Sequence, residues 1–193
     1  MKKIAIAGII TLFLSIYFSL TLFVLPEQYM SNDILVSVPQ FEVTISEENI
    51  SLGESFTIDI ITSNSGDYGD IHVLSTSFPN VIEIDKEVQI TTYDFTQTPI
   101  SISPGDEIIS NYSGGLEHAR AKYHAIEAMS RPVHPDSTYK MSQVITPQDI
   151  GNFPIYVKAV NIPHTSNLSH YPQTGILDHQ EEFVLDYQVN VNP

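Results

Sequence analysis

The chain has seven histidines and no cysteine, so imidazole is its best-suited side chain for chemistry. Neutral imidazole binds Cu(II), Zn(II) or Ni(II). His72 opens a strand-like stretch, and His118, His124 and His134 fall in one long insertion. His118 and His124 are six positions apart, about 240° around a helix, so they cannot chelate one ion from one helical face. No His-x-His or His-x-x-x-His pair occurs. The candidate metal set is therefore the loop trio His164, His170 and His179, with copper or zinc as its ion. The simpler reading is a scatter of solvated histidines. Without cysteine there are no thiolate zinc sites, no cysteine nucleophile and no disulfide.

Three carboxylate pairs stand out: Glu47-Glu48, Glu181-Glu182, and Asp67 with Asp70. Consecutive strand residues face opposite ways, which makes Glu181 and Glu182 poor partners for acid–base work. Asp67 and Asp70 lack calcium-loop spacing and read as a solvated turn. The Gly-x-Ser-x-Gly, His-Glu-x-x-His, phosphate-cradling and dinucleotide signatures are missing, so no catalysis is expected. Tyr112 and Tyr171, with His124, are the candidate protein-binding residues, since tyrosine joins apolar area to a hydroxyl at low entropy cost. Tyr123 reads as core. The formal charge of -15, with only eight Lys and Arg, argues against nucleic acid as a partner.

These residues need elements to hold them. Period-two alternation marks strands at Phe41–Ile45, Phe56–Ile60, Ile71–Thr76 and, most cleanly, Phe183–Val191. Shorter extended pieces are expected at Val81–Ile84 and Val88–Thr92. Thr146–Asn161 turns through Pro147, Asp149 and Gly151 into a strand whose apolar face is Phe153, Ile155, Val157 and Ala159. Residues from about 93 to 138 form an insertion with a predicted helix, Leu116–Met129, ended by Arg131-Pro132. A long loop spans about 162–180. Many short strands with turn punctuation predict an all-β, antiparallel two-sheet sandwich over residues 39–193.

Asp149-x-Gly151-x-Phe153 resembles the E–F corner of immunoglobulin-like sandwiches, with Phe153 in place of the corner tyrosine. Leu52-Gly-Glu-Ser-Phe-Thr-Ile-Asp-Ile-Ile-Thr-Ser-Asn-Ser-Gly-Asp resembles the early strands of archaeal and bacterial cell-surface domains of the CARDB and fibronectin-like group. The resemblance implies an immunoglobulin-like sandwich, with the insertion between strands D and E and the long loop between F and G. Both would emerge at the pole where the first strand begins.

Ahead of the sandwich, an uncharged run from Ile4 to Leu25 follows Lys2-Lys3. As a helix it spans roughly 33 Å, enough for a bilayer core. It predicts an uncleaved transmembrane signal anchor over residues 1–25, with a tether at 26–38. The lysine flank puts the N-terminus in the cytoplasm and the sandwich outside the cell. Sequons at Asn49, Asn111 and Asn167 make a glycoprotein expected. The expected role is a membrane-anchored, protein-binding module of the cell envelope. An apolar helix joined to a β-sandwich also resembles archaeal pilins, archaellins and archaellum stator proteins. An extracytoplasmic copper or zinc protein is the third reading.

Overall fold

The structure, a computed structural model, describes residues 2–24, 36–113, 119–163 and 168–193. It separates into two units, Met1–Ile34 and Leu35–Pro193.

In the first unit, helix α1 (Lys2–Ser19) runs into a π-helix at Leu20–Val24. The Thr21 hydroxyl donates back to the carbonyls of Tyr17 (2.9 Å) and Phe18 (3.4 Å) at this junction. Such back-bonding competes with the regular backbone ladder and bends helices. Among the described residues, no helix is long and apolar enough to cross a membrane.

The second unit is mostly β, in two sheets with one short helix. Its strands are β1 (Pro39–Ile45), β2 (Asn49–Ser51), β3 (Phe56–Asn64), β4 (Ile71–Phe78), β5 (Val88–Tyr93) and β6 (Ile100–Ile102). They continue as β7 (His124–Ser130), β8 (Thr138–Ile145), β9 (Gly151–Ile162), β10 (Ser169–Tyr171), β11 (Ile176–Leu177) and β12 (Phe183–Asn192). The small sheet has order β1-β3-β8-β5, and the large sheet runs β11-β12-β9-β4-β7-β6. β10 joins β9, while β2 crosses from the small sheet to run parallel to β12. Setting aside β2, β6, β7, β10 and β11, this is the A-B-E-D and G-F-C order of an immunoglobulin-like sandwich.

One apolar core lies between the sheets. Phe56, Ile58 and Ile60 from β3 meet Leu74 and Phe78 from β4 and Phe153, Ile155 and Val157 from β9. Phe56 and Phe153 pack edge to face, with ring centroids 6.0 Å apart. Phe153 needs no hydroxyl to hold the β8–β9 corner, because its ring is itself core.

The helix expected at Leu116–Met129 is overturned: His124–Ser130 is strand β7, between β4 and β6. Ala125 to Ala128 are buried on both faces, which erases the period of two and leaves a pattern that mimics a helix. The extended piece at Val81–Ile84 is instead a turn into a short helix, α2 (Ile84–Glu87). The buried Glu87 carboxylate organises it by accepting the backbone N–H of Ile82 (2.8 Å) and Glu83 (3.0 Å). Strand β8 stands where the corner implies a strand E, but the sequence pattern assigns it no range. Its inward residues are Tyr139, Met141, Gln143 and Ile145, and a glutamine in the third place hides the alternation.

Candidate functional site

Chemistry-bearing side chains gather at two places on the sandwich. The first is the pole where β1 begins. There the β3–β4 turn, the β7–β8 connection and the end of β9 meet. Fully buried Asn64 ties them together. Its Oδ1 accepts from Val38 N (2.8 Å), Gly66 N (3.2 Å) and Asn161 Nδ2 (3.2 Å). Its Nδ2 donates to the carbonyls of Asp67 (2.6 Å) and His134 (3.1 Å). Gly66 is required here because a Cβ would stand 2.2 Å from the Val36 carbonyl oxygen.

Behind Asn64 lies His72, with no exposed surface. Asn161 turns its amide nitrogen to Asn64, so its oxygen faces His72 Nδ1 at 2.5 Å and fixes the proton on that nitrogen. Nε2 is 2.8 Å from the Thr62 hydroxyl, whose oxygen also lies 2.8 Å from the Gln40 carbonyl. The ring stacks with Phe95 (6.4 Å) and lies 5.6 Å from that of Tyr139. Burial drives the His72 pKa from 6.5 to about 4, against the opposing pull of the Asn161 hydrogen bond. His72 is thus a neutral tie between the sheets and not a surface ligand.

The second place is the outer face of the large sheet. Strand β9 alternates normally from Phe153 to Val157, then is buried on both faces from Val157 to Asn161. Two chain segments cover it there. Glu127 of β7, with no exposed surface, accepts from Ile109 N (2.9 Å) and Ser110 N (3.1 Å), and from the Ser110 hydroxyl. Glu182, equally buried, accepts from Tyr112 N and from Ser113 N (2.8 Å) through Oε1. Two carboxylates thereby staple residues 109–113 to the sheet through backbone N–H groups. Lys158 of β9 supplies the cation: it pairs with Glu182 Oε2, and its Nζ lies 3.5 Å from both Asp178 Oδ2 and Gln180 Oε1. The Tyr112 ring stands 5.9 Å from the same ammonium. Ile102, Ile108, Ala121 and Ala125 form a small apolar cluster alongside.

The proposed site residues disperse over these two places. Tyr112 is half-buried; its hydroxyl accepts from Phe183 N, and its ring stacks on His170 at 3.7 Å. Burial pushes its pKa up to about 12 despite the Phe183 hydrogen bond, with Glu182 and Asp178 adding to the rise. Tyr171 packs edge to face on Phe41 at 5.0 Å as part of the core. His124 holds the Ile82 carbonyl through Nε2 at 3.1 Å. His170 Nδ1 pairs with the Pro172 carbonyl at 3.0 Å, and His179 lies edge-on to Tyr123 at 5.3 Å. His118, His164 and Asn167 lie outside the described residues. Among the described residues, no group of three or more His, Cys, Asp or Glu could hold a metal ion. Asn49 is exposed, whereas Asn111 is buried.

The sequence reading missed Lys158, Glu127 and His72 as organisers. The usable signal was scarcity, since a lysine amid a long apolar strand is unusual in a chain with eight basic residues.

No family profile and no curated protein matches the chain. Among solved structures it is similar to AvmM, which catalyses macrocyclization in alchivemycin A biosynthesis, at 9% identity and TM-score 0.43, covering 81% of this chain and 89% of that one. It is also similar to the cohesin module of a Clostridium perfringens family 33 glycoside hydrolase, at 12% identity and TM-score 0.38, covering 82% and 98%. A third is the CARDB domain of a Pyrococcus furiosus protein, solved with di-metal ions, at 11% identity and TM-score 0.37, covering 81% and 96%. Likeness at this level carries no argument about activity.

Proposed function

We propose that the chain is a binding module of the cell envelope, held at a membrane by its apolar N-terminal segment with the β-sandwich outside the cell. The observation that carries this reading is the surface of α1. Ile9, Ile10, Leu12, Phe13, Leu14, Ile16 and Phe18 are each between 49% and 69% exposed and lie on every side of the helix. A helix apolar all round needs lipid or other helices to cover it. The uncharged run continues through the π-helix to Leu25, and no Lys or Arg follows Lys3 until Lys86, which favours a cytoplasmic N-terminus.

The module works by binding a protein partner and not by catalysis. The partner-facing residues are Tyr68 and His134, exposed at the pole where β1 begins, with the tyrosine ring edge-on to the imidazole at 5.3 Å. They replace Tyr112 and Tyr171, whose rings are spent on internal packing. Among the described residues, Asn49 is the exposed sequon available to a glycan.

Fractionation of cells expressing the full chain tests the anchor. Retention in the membrane through alkaline carbonate washing, with the sandwich cut by external protease, is expected. A full chain that stays in the soluble fraction without detergent would contradict it.

A further inference from the structure

We propose that Lys158 and Asp178 join in an intramolecular amide bond, with Glu182 moving the protons. The three side chains are 4%, 7% and 0% exposed, so amine and carboxyl groups meet almost without water. Lys158 Nζ is 3.5 Å from Asp178 Oδ2, in contact range for attack on the carboxyl carbon.

The two oxygens of Asp178 differ in their surroundings. Oδ1 accepts the backbone N–H of Gln180 (2.7 Å) and of Glu182 (3.1 Å), a pair of fixed donors that stabilises negative charge on that oxygen during attack. Oδ2 faces the ammonium and is the leaving oxygen. Glu182 Oε2 touches Nζ and is placed as the proton carrier, while its Oε1 stays anchored on Tyr112 and Ser113. Gln180 Oε1 orients the amine from 3.5 Å.

The step balances within the cluster. Glu182 carries a proton from the ammonium to Asp178 Oδ2, and the freed lone pair then forms the N–C bond to Cγ of the neutral carboxyl group, with a second proton following the same route to Oδ2. The Cγ–Oδ2 bond then breaks. Of the three ammonium protons, one stays on the amide and two leave with Oδ2 as water, and Glu182 ends as the carboxylate it began. No oxidant or other reactant is needed. A cavity of about 10 Å³, lined in part by Lys158, Asp178 and Gln180, is the size of one water position and adjoins the bond. The link would close a loop between β9 and β12 in a chain that has no cysteine for a disulfide.

Tryptic digestion of the denatured full chain tests this. Lys158 is the last basic residue, so unlinked protein gives peptides 141–158 and 159–193. The expected product is instead one uncut 141–193 species, lighter by one water, with fragment ions joining Lys158 to Asp178. Clean cleavage after Lys158, an uncut peptide of full mass, loss of ammonia marking Gln180, or a link to Glu182 would each overturn the assignment. In the full chain, Glu182→Gln should slow formation of the link by roughly 100-fold or more. Linkage at the wild-type rate in that variant would remove Glu182 from the reaction.

Discussion

His72 and Lys158 sit on opposite faces of the same large sheet, and each is buried, but they are held in different ways. His72 stays neutral between aromatic rings, with Asn161 and Thr62 serving its two nitrogens. Lys158 pairs with Glu182 under a cover of chain drawn from two distant segments. The inner face thus closes by sheet-to-sheet packing with a few polar ties, and the outer face closes by electrostatic stapling of segments that form no strand. The inner tie should be sensitive to acid, and the outer cluster to loss of any one member.

The largest effect is expected from Lys158→Met. It removes the amide link together with the cation and leaves Glu182 and Asp178 buried and unpaired, which typically costs about 3–5 kcal/mol. Urea unfolding of the full chain in detergent measures it, and a loss under 1 kcal/mol would mean the outer cluster is solvated.

Acidification should break the inner tie almost as strongly. Between pH 6.5 and 4 the unfolded chain binds a proton that folded His72 refuses. The stabilisation is therefore complete above pH 6.5 and is lost as pH falls toward 4, by roughly 3 kcal/mol. Unfolding midpoints across that range should follow this slope, and His72→Gln should flatten it.

Glu127→Ala strands the backbone N–H groups of Ile109 and Ser110 and should cost about 2–3 kcal/mol. The smallest effect is expected at Tyr68→Ala, which should change stability by less than about 0.5 kcal/mol. The same change should abolish photo-crosslinking of the pole to the protein partner we propose, and unaltered crosslinks would move the contact surface elsewhere.

Much of this sandwich was legible before the structure. Leu185–Val191 alternates apolar and polar residues without a break, because β12 has one face on the core over most of its length. The turn through Asp149 and Gly151 correctly located the start of β9. The failures share a cause. Where both faces of a strand are covered, periodicity vanishes, and Ala125–Ala128 then passes for a helix. Lys158 sits at an outward position of β9, where a lysine normally meets solvent. Nothing local reveals that residues 109–113 and 178–182 fold over it. The packing of Tyr112 and Tyr171, candidate binding residues in the sequence, is hidden for the same reason, as their partners Phe183 and Phe41 lie far away in the chain.

Amide hydrogen exchange at Ile109, Ser110, Tyr112 and Ser113 tests most directly that the outer face is a stapled second layer. None of these residues belongs to a strand, yet each N–H donates to a buried carboxylate. Exchange as slow as that of the β9 amides is the predicted result. Exchange as fast as at the open turn of Gly53 would contradict it.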